Sequence, residues 1–102
     1  MEIVSQIFNE TLFINISGEL DEYSSSYVKN KLDASFSNGI FKKVIIDLID
    51  LSFMDSTGIG VLIGRYKLLK NKSIPIFITN PNKQIDKIFN MSGLYNIMPK
   101  LV

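Results

Sequence analysis

The feature that most constrains this chain is the stretch Phe53-Met54-Asp55-Ser56-Thr57-Gly58-Ile59-Gly60. An apolar run meets an acid, two hydroxyls and two glycines, and a helical pattern follows. The transition predicts a strand end feeding a helix start, with Asp55-Ser56-Thr57-Gly58 as the capping segment. A cap needs only one short polar residue, and this junction supplies three. Gly58, Gly60 and Gly64 lie in or beside the same helix. An interior glycine costs about 1 kcal/mol relative to alanine. Gly60 and Gly64 are one turn apart and share a face. A face without side chains admits close approach of another backbone, from the protein's own sheet or from a partner.

Other segments supply the rest of an alternating pattern. Residues 2–8 and 11–17 read as strands joined by the polar pair Asn9-Glu10, which predicts a hairpin. Tyr23, Tyr27, Val28, Leu32 and Phe36 recur at helical spacing, so a helix is expected over 22–37, with Asp21 as cap and Asn38-Gly39 as stop. Lys42–Leu48 is a β-branched run suited to a central strand. From Thr57 to about Asn71, residues Ile59, Leu62, Ile63, Tyr66 and Leu69 form one helical stripe. Ile74–Thr79 reads as a strand, and Pro81 is placed in the first turn of a last helix that breaks at Met91-Ser92-Gly93-Leu94. Residues 95–102 fit a turn, a short helix or an edge strand. The order β-β-α-β-α-β-α implies an α/β domain. Its sheet of four to five strands is mixed and mostly parallel, with helices mainly on one face. Residues 2–102 form one domain.

Composition narrows the function. The chain has 102 residues, without cysteine or histidine, and a net charge of +1 from 11 basic and 10 acidic residues. Thiolate chemistry is excluded, and so are histidine bases and histidine metal ligands. The near-neutral balance argues against direct nucleic-acid binding, and no apolar run reaches the roughly 20 residues of a membrane span. Ser56 has no histidine to activate it, and Gly-x-Ser-x-Gly is absent. Gly58-x-Gly60-x-x-x-Gly64 misses the dinucleotide spacing and lacks the lysine of a phosphate-binding loop. Asp47 and Asp50 read as a strand end and a turn. No enzyme, no cofactor and no metal are expected. A helix start does tolerate an anion, so a hydroxyl at Ser56 is a sound place to carry a phosphate. That phosphate would add about −1.5 to −2 charge to any surface a partner docks on. Gly18-Glu19-Leu20-Asp21 also ends a strand before a helix, and strand-to-helix loops of one sheet gather at one edge.

These motifs carry a resemblance. With Gly18-Glu19-Leu20-Asp21, Gly64-Arg65-Tyr66-Lys67 and Phe89-Asn90-Met91-Ser92-Gly93-Leu94, the Phe53–Gly60 segment resembles the anti-sigma factor antagonists of Gram-positive bacteria, members of the STAS domain family. The likeness covers nearly the whole chain. It implies a protein that binds an anti-sigma factor serine kinase when unphosphorylated, and so releases a sigma factor. Phosphorylation by that kinase switches it off, and a PP2C-type phosphatase restores it. The resemblance maps the acceptor to Ser56, with Thr57 the neighbouring hydroxyl, and assigns Asp21 to partner binding. The expected partner surface is Asp21, Asp55, Ser56, Thr57, Gly58 and Gly60. ATP and magnesium would belong to the kinase. Glu22-Tyr23 departs from the histidine-rich pair of the sporulation branch and leaves the sigma pathway open. The free protein is expected to be a cytoplasmic monomer. The alternative is a ligand- or nucleotide-sensing STAS scaffold.

Overall fold

The computed structural model describes residues 1–101. The expected domain 2–102 therefore ends on Val102, which lies outside the described residues. Strand β1 (Glu2–Phe8) turns back into β2 (Thr11–Leu20) through Asn9 and Glu10, both at positive φ (50° and 63°). Positive φ at both central residues is what a two-residue hairpin requires to match strand twist. Helix α1 (Ser25–Ser37), β3 (Lys43–Asp47), β4 (Leu51–Met54), α2 (Ser56–Lys70), β5 (Ile76–Thr79) and α3 (Lys83–Ser92) follow. A 3₁₀ turn at Leu94–Asn96 comes next.

The sheet has five strands in the order β1-β2-β3-β5, with β4 attached to β2. Only β1 and β2 are antiparallel; β2–β3, β2–β4 and β3–β5 are parallel. The sequence pattern allowed one strand between the first two helices, whereas the structure has two. The polar Asp47–Asp50 corner divides them: Asp47 Oδ1 accepts from Ile49 N at 3.0 Å and Asn80 Nδ2 at 3.1 Å. β2 is long enough to serve both, pairing residues 11–15 with β3 and residues 18–20 with β4. At the start of the second ladder Gly18 adopts φ +109°, and the register shifts between Gly18 and Glu19. A side chain is strained in that backbone conformation, so glycine is required at this bulge.

Alternation sorts the strands. Leu12, Ile14, Ile16 and Leu20 of β2, Val44 and Ile46 of β3, and Ile76 and Ile78 of β5 are buried. They join Val28 and Leu32 of α1, Leu62 and Leu69 of α2, and Ile85 and Phe89 of α3 in one cluster. On the opposite face Phe13 is exposed, and Ile45 and Phe77 are half-buried. A sheet with one covered face shows this period of two.

Two boundaries move and one buried stripe turns. Residues 22–24 form a turn before α1, so that helix starts later than its apolar spacing suggested. Asn82, not Asn80, caps α3: its side chain accepts from Ile85 N at 2.9 Å, and Pro81 stands before the cap. In α2 the deepest residues are Gly58, Leu62, Arg65 and Leu69, with Ile59, Ile63 and Tyr66 half-buried. The stripe is rotated because Gly58 sits against β2 and Arg65 reaches α1. Arg65 Nε lies 3.1 Å from Asp33 Oδ1, off the line of its N–H, so the attraction is between charges rather than a hydrogen bond.

The chain end combines two of the expected forms. After the 3₁₀ turn, Ile78 N donates to Pro99 O and Leu101 N to Ile78 O, adding an edge bridge to β5. Asp86 clasps it, accepting from Tyr95 Oη at 2.5 Å and Lys100 Nζ at 2.8 Å. The Lys100 bond, and next the Tyr95 bond, hold the Asp86 carboxyl below the usual carboxylate value. Burial first, then the Asp86 bond, push the Tyr95 phenol above its ordinary value.

Candidate functional site

The site grows from the ends of two neighbouring parallel strands. Leu20 of β2 is registered with Met54 of β4. The next residues, Asp21 and Asp55, therefore leave the sheet side by side. Asp55 N donates to Leu20 O at 3.3 Å, which ties the two exits together. Sequence pattern placed both acids at strand-to-helix junctions; pairing β4 with β2 makes them neighbours.

At the second junction Asp55 is the N-cap in extended backbone. Its Oδ1 accepts from Gly58 N at 3.1 Å, and its carbonyl accepts from Ile59 N at 3.1 Å. Ser56 and Thr57 are the first two helical residues, and both are exposed. Among the described residues no hydrogen bond engages their hydroxyls or their backbone N–H groups. The first turn thus presents two free N–H donors, the positive end of the helix dipole and a bare serine hydroxyl. A phosphate there meets donors at once and leaves the cap intact.

The glycines divide by what surrounds them. A Cβ on Gly58 would stand 2.8 Å from Leu20 O and Leu20 Cγ and 2.7 Å from Met54 Cγ. Gly58 is buried, and it lets the helix start sit on the paired strand ends. It underlies the expected partner surface and does not form part of it. A Cβ on Gly60 or Gly64 would meet nothing within 4 Å. Packing on the protein's own sheet therefore does not explain those two. Gly60 is exposed in line with Ser56, one turn along α2.

At the first junction Asp21 Oδ1 accepts from Tyr23 N and Ser24 N, both at 3.0 Å. Asp21 N donates to Ser24 Oγ at 3.1 Å, and Ser24 Oγ donates to Glu19 O at 2.6 Å. These reciprocal bonds close the turn at residues 22–24. They do not cap α1 from Asp21 as expected: its N-cap is Ser24, whose side chain makes no capping bond to the helix. Ser24 was not among the expected site residues; its spacing of three from Asp21 was the available signal. Helical spacing predicts Tyr23 and Tyr27 on the apolar face of the first helix, while their place after Asp21 predicts Tyr23 and Ser24-Ser25-Ser26 near the site edge. The turn at residues 22–24 instead leaves Tyr23 89% exposed, and Tyr27 is 45% exposed. The stripe that remains inside is Val28, Leu32 and, half-buried, Phe36.

Among the described residues, no group of three or more carboxylates is arranged to hold a metal ion. Asp47 and Asp50 are engaged in turn contacts, Asp50 accepting from Asn15 Nδ2 at 3.2 Å. Among the described residues, no helix is long and apolar enough to cross a membrane.

Comparison with known proteins identifies the arrangement. The STAS domain family matches residues 2–101. The chain belongs to the STAS domain family. An anti-sigma F factor antagonist of Paenibacillus polymyxa is 33% identical over 99 residues, covering 97% of this chain and 85% of the relative. An anti-sigma-B factor antagonist of Bacillus subtilis is 32% identical over 85 residues, covering 83% of this chain and 76% of the relative. Among solved structures, the anti-sigma factor antagonist SpoIIAA in its unphosphorylated form superposes with a TM-score of 0.76 at 28% identity, covering 99% of this chain and 89% of that one. The Bacillus SpoIIAA in its phosphorylated form gives 0.69 at 28% identity, covering 99% of this chain and 92% of that one. The fold class expected from the β/α order, and the family expected from the Asp55-Ser56-Thr57-Gly58 motif, are both met.

Proposed function

We propose that this STAS protein is an anti-sigma factor antagonist whose docking surface is switched by phosphorylation of Ser56. In its unphosphorylated form it binds an anti-sigma factor that is also a serine kinase, and so releases a sigma factor. The single observation that carries the switch is the exposed Ser56 hydroxyl, unbonded at the first position of a helix that Asp55 already caps. The names of the relatives support the class of partner. The existence of SpoIIAA in phosphorylated and unphosphorylated forms supports a phosphate switch.

The kinase supplies ATP and magnesium. The Ser56 oxygen attacks the γ-phosphorus, the bond to the ADP oxygen breaks, and the hydroxyl proton passes to a base of the kinase. The protein's part is to hold the serine still and exposed. Once formed, the phosphoserine is accommodated by the free N–H groups of Ser56 and Thr57 and by the dipole of α2. The fold survives and the surface changes. The added charge stands next to Asp55 on the surface the partner must cover. Repulsion and the cost of stripping water from the phosphate then favour release. A PP2C-type phosphatase restores the hydroxyl. Gly60 and Gly64 leave the exposed side of α2 low enough for the partner to come close. The chain itself performs no catalysis, uses no cofactor and acts in the cytoplasm.

The test is direct. Incubation with the anti-sigma factor kinase of the same organism and ATP, followed by mass-spectrometric mapping, should place one phosphate on Ser56. Modification elsewhere, or none, sinks the assignment.

A further inference from the structure

Helices α1, α2 and α3 all pack into the cluster on one side of the sheet, and the other side is bare. Parallel ladders are ordinarily covered on both faces. Here β2–β3 and β3–β5 are parallel and open to water on one side. The registers arrange the bare face in rows across the strands. The middle row runs Gln6, Phe13, Ile45, Phe77. The row on one side of it holds Phe8, Thr11 and Lys43; the row on the other side holds Val4, Asn15 and Asp47. Val4 is 54% exposed, Phe8 62% and Phe13 38%. Ile45 and Phe77 are half-buried. Contiguous apolar surface of this kind marks an interaction face.

Charge and shape make this face complementary to itself. A two-fold axis along the middle row lays each strand over its own equivalent in the opposite direction, as aligned sheets pack. Phe13, Ile45 and Phe77 then meet their own copies. The outer rows exchange, so Phe8 falls over Val4, Thr11 over Asn15 and Lys43 over Asp47. Apolar meets apolar, polar meets polar and cation meets anion. An axis along the strands would instead bring the two Lys43 rows together and the two Asp47 rows together. Both charged groups have capacity to spare. Lys43 is exposed and joins none of the ion pairs among the described residues, which are Lys42–Glu10, Arg65–Asp33 and Lys100–Asp86. Asp47 Oδ1 holds Ile49 N and Asn80 Nδ2, while its Oδ2 accepts no hydrogen bond among the described residues. A hollow of about 240 Å³ lies beside Val4, Gln6, Phe13 and Asn15, where the Phe8 ring of the other copy is set.

We propose that the bare sheet face is a homodimer interface, in which two copies pack face to face about the row Gln6, Phe13, Ile45 and Phe77. This goes beyond the antagonist reading and departs from the monomer expected for the free protein. Four strands spaced about 4.8 Å apart, with about 3.3 Å per residue along β1, make a plate roughly 20 Å on a side. A plate of that size lies at the low end of specific interfaces, under about 1,200 Å² in total, so dimer and monomer exchange with concentration. Ser56 opens α2, which packs on the covered side. Both serines therefore stay outside the interface, and one dimer offers two switch sites.

Sedimentation velocity on the full chain, from micromolar to millimolar protein, should show the wild type passing from monomer to dimer. Phe13→Glu sets two acids against each other on the axis and should stay monomeric throughout. Lys43→Glu sets an acid over Asp47 and should raise the dissociation constant tenfold or more. Ile40→Ala, 88% exposed in the loop between α1 and β3, should dimerise as the wild type does. Circular dichroism checks that each variant is folded, and Lys43→Glu, at a solvated site, carries the test if Phe13→Glu does not fold. The chain has no cysteine, so introduced thiols report the geometry cleanly. Val4→Cys protein mixed with Phe8→Cys protein and a short bismaleimide should cross-link to each other faster than either does to itself. A wild type that stays monomeric to millimolar concentration overturns the inference, and so does a dimer indifferent to both charge variants or cross-linking that favours like pairs. A monomeric wild type whose kinase binding is lost in Phe13→Glu assigns the face to the kinase and equally overturns it. Ser56 phosphorylation is read in parallel, and its failure in the wild type counts against the proposed function and not against the dimer.

Discussion

The molecule contains the same junction twice. At β2–α1 and at β4–α2 a strand ends on a buried apolar residue, an aspartate follows, and a serine stands within three residues of it. The two junctions leave the sheet side by side. They differ in what remains unused. At the first, Asp21 and Ser24 bond each other across the turn ahead of α1, and the serine hydroxyl also reaches Glu19 O at 2.6 Å. At the second, Asp55 caps the helix alone and Ser56 is left with nothing to hold among the described residues. A serine near an aspartate at a helix start is therefore not a phosphate site by composition. The distinguishing property is a hydroxyl that the fold does not need. Under the proposed function, it is the second junction that is free to carry a switch.

The largest effect should come from charging the idle serine. Phosphorylated Ser56 is expected to lose kinase affinity by roughly a hundredfold, about 3 kcal/mol, as like charges meet across an interface. Titration calorimetry of the purified phosphoprotein against the kinase checks this. An unchanged affinity would remove the contrast between the two junctions.

Next in size is the contrast among the glycines. Gly58→Ala forces a methyl group against Leu20 O and Met54 Cγ and should cost about 1–3 kcal/mol of stability. Gly60→Ala has open space around it and should stabilise the free protein by about 0.5–1 kcal/mol. The same change should weaken kinase binding. Urea unfolding and a binding titration on both variants separate a packed glycine from a docking one. Equal stability changes in the two would contradict the geometry.

Smaller still is the direct comparison of the serines. Ser24→Ala removes the hydroxyl that holds Asp21 N and Glu19 O and should cost about 1 kcal/mol. Ser56→Ala should change stability by less than about 0.5 kcal/mol, as surface substitutions usually do, while abolishing phosphorylation. Paired denaturation curves decide whether the hydroxyls differ as described.

The smallest effect lies outside both junctions and serves as their control. Asp86 has a lowered folded pKa, so its contribution to stability is present above the ordinary carboxylate value of about 4. It is lost as pH falls through the lower folded value. The stability gap between wild type and Asp86→Asn should hold near neutrality and close in acid. Kinase binding should ignore the substitution. A gap that widens in acid would mean that the clasp does not hold the carboxylate in its charged form.

Much of the fold was legible in the sequence because local rules decide it. Helical spacing marked Val28, Leu32, Leu62 and Leu69, alternation marked β2, and short polar residues marked the starts and stops. The motif around Ser56 was legible as a helix start with surplus polar groups, because capping is a contact between near neighbours. Three things needed the tertiary structure. The pairing of Leu20 with Met54, which brings Asp21 beside Asp55, joins residues far apart in the chain, and no periodic pattern encodes a strand partner. The separation of Gly58 from Gly60 and Gly64 depends on which side of α2 meets the sheet, and the buried Arg65 rotated that side away from the apolar stripe. The exposure of Tyr23 and Tyr27 depends on the turn at residues 22–24, where a bond between Asp21 and Ser24 overrides a spacing that pointed inward. The sequence determined where the chain turns and which hydroxyls stand at the turns. Only the packed structure decided which hydroxyl is left over, because that depends on what every neighbouring donor and acceptor has already bound.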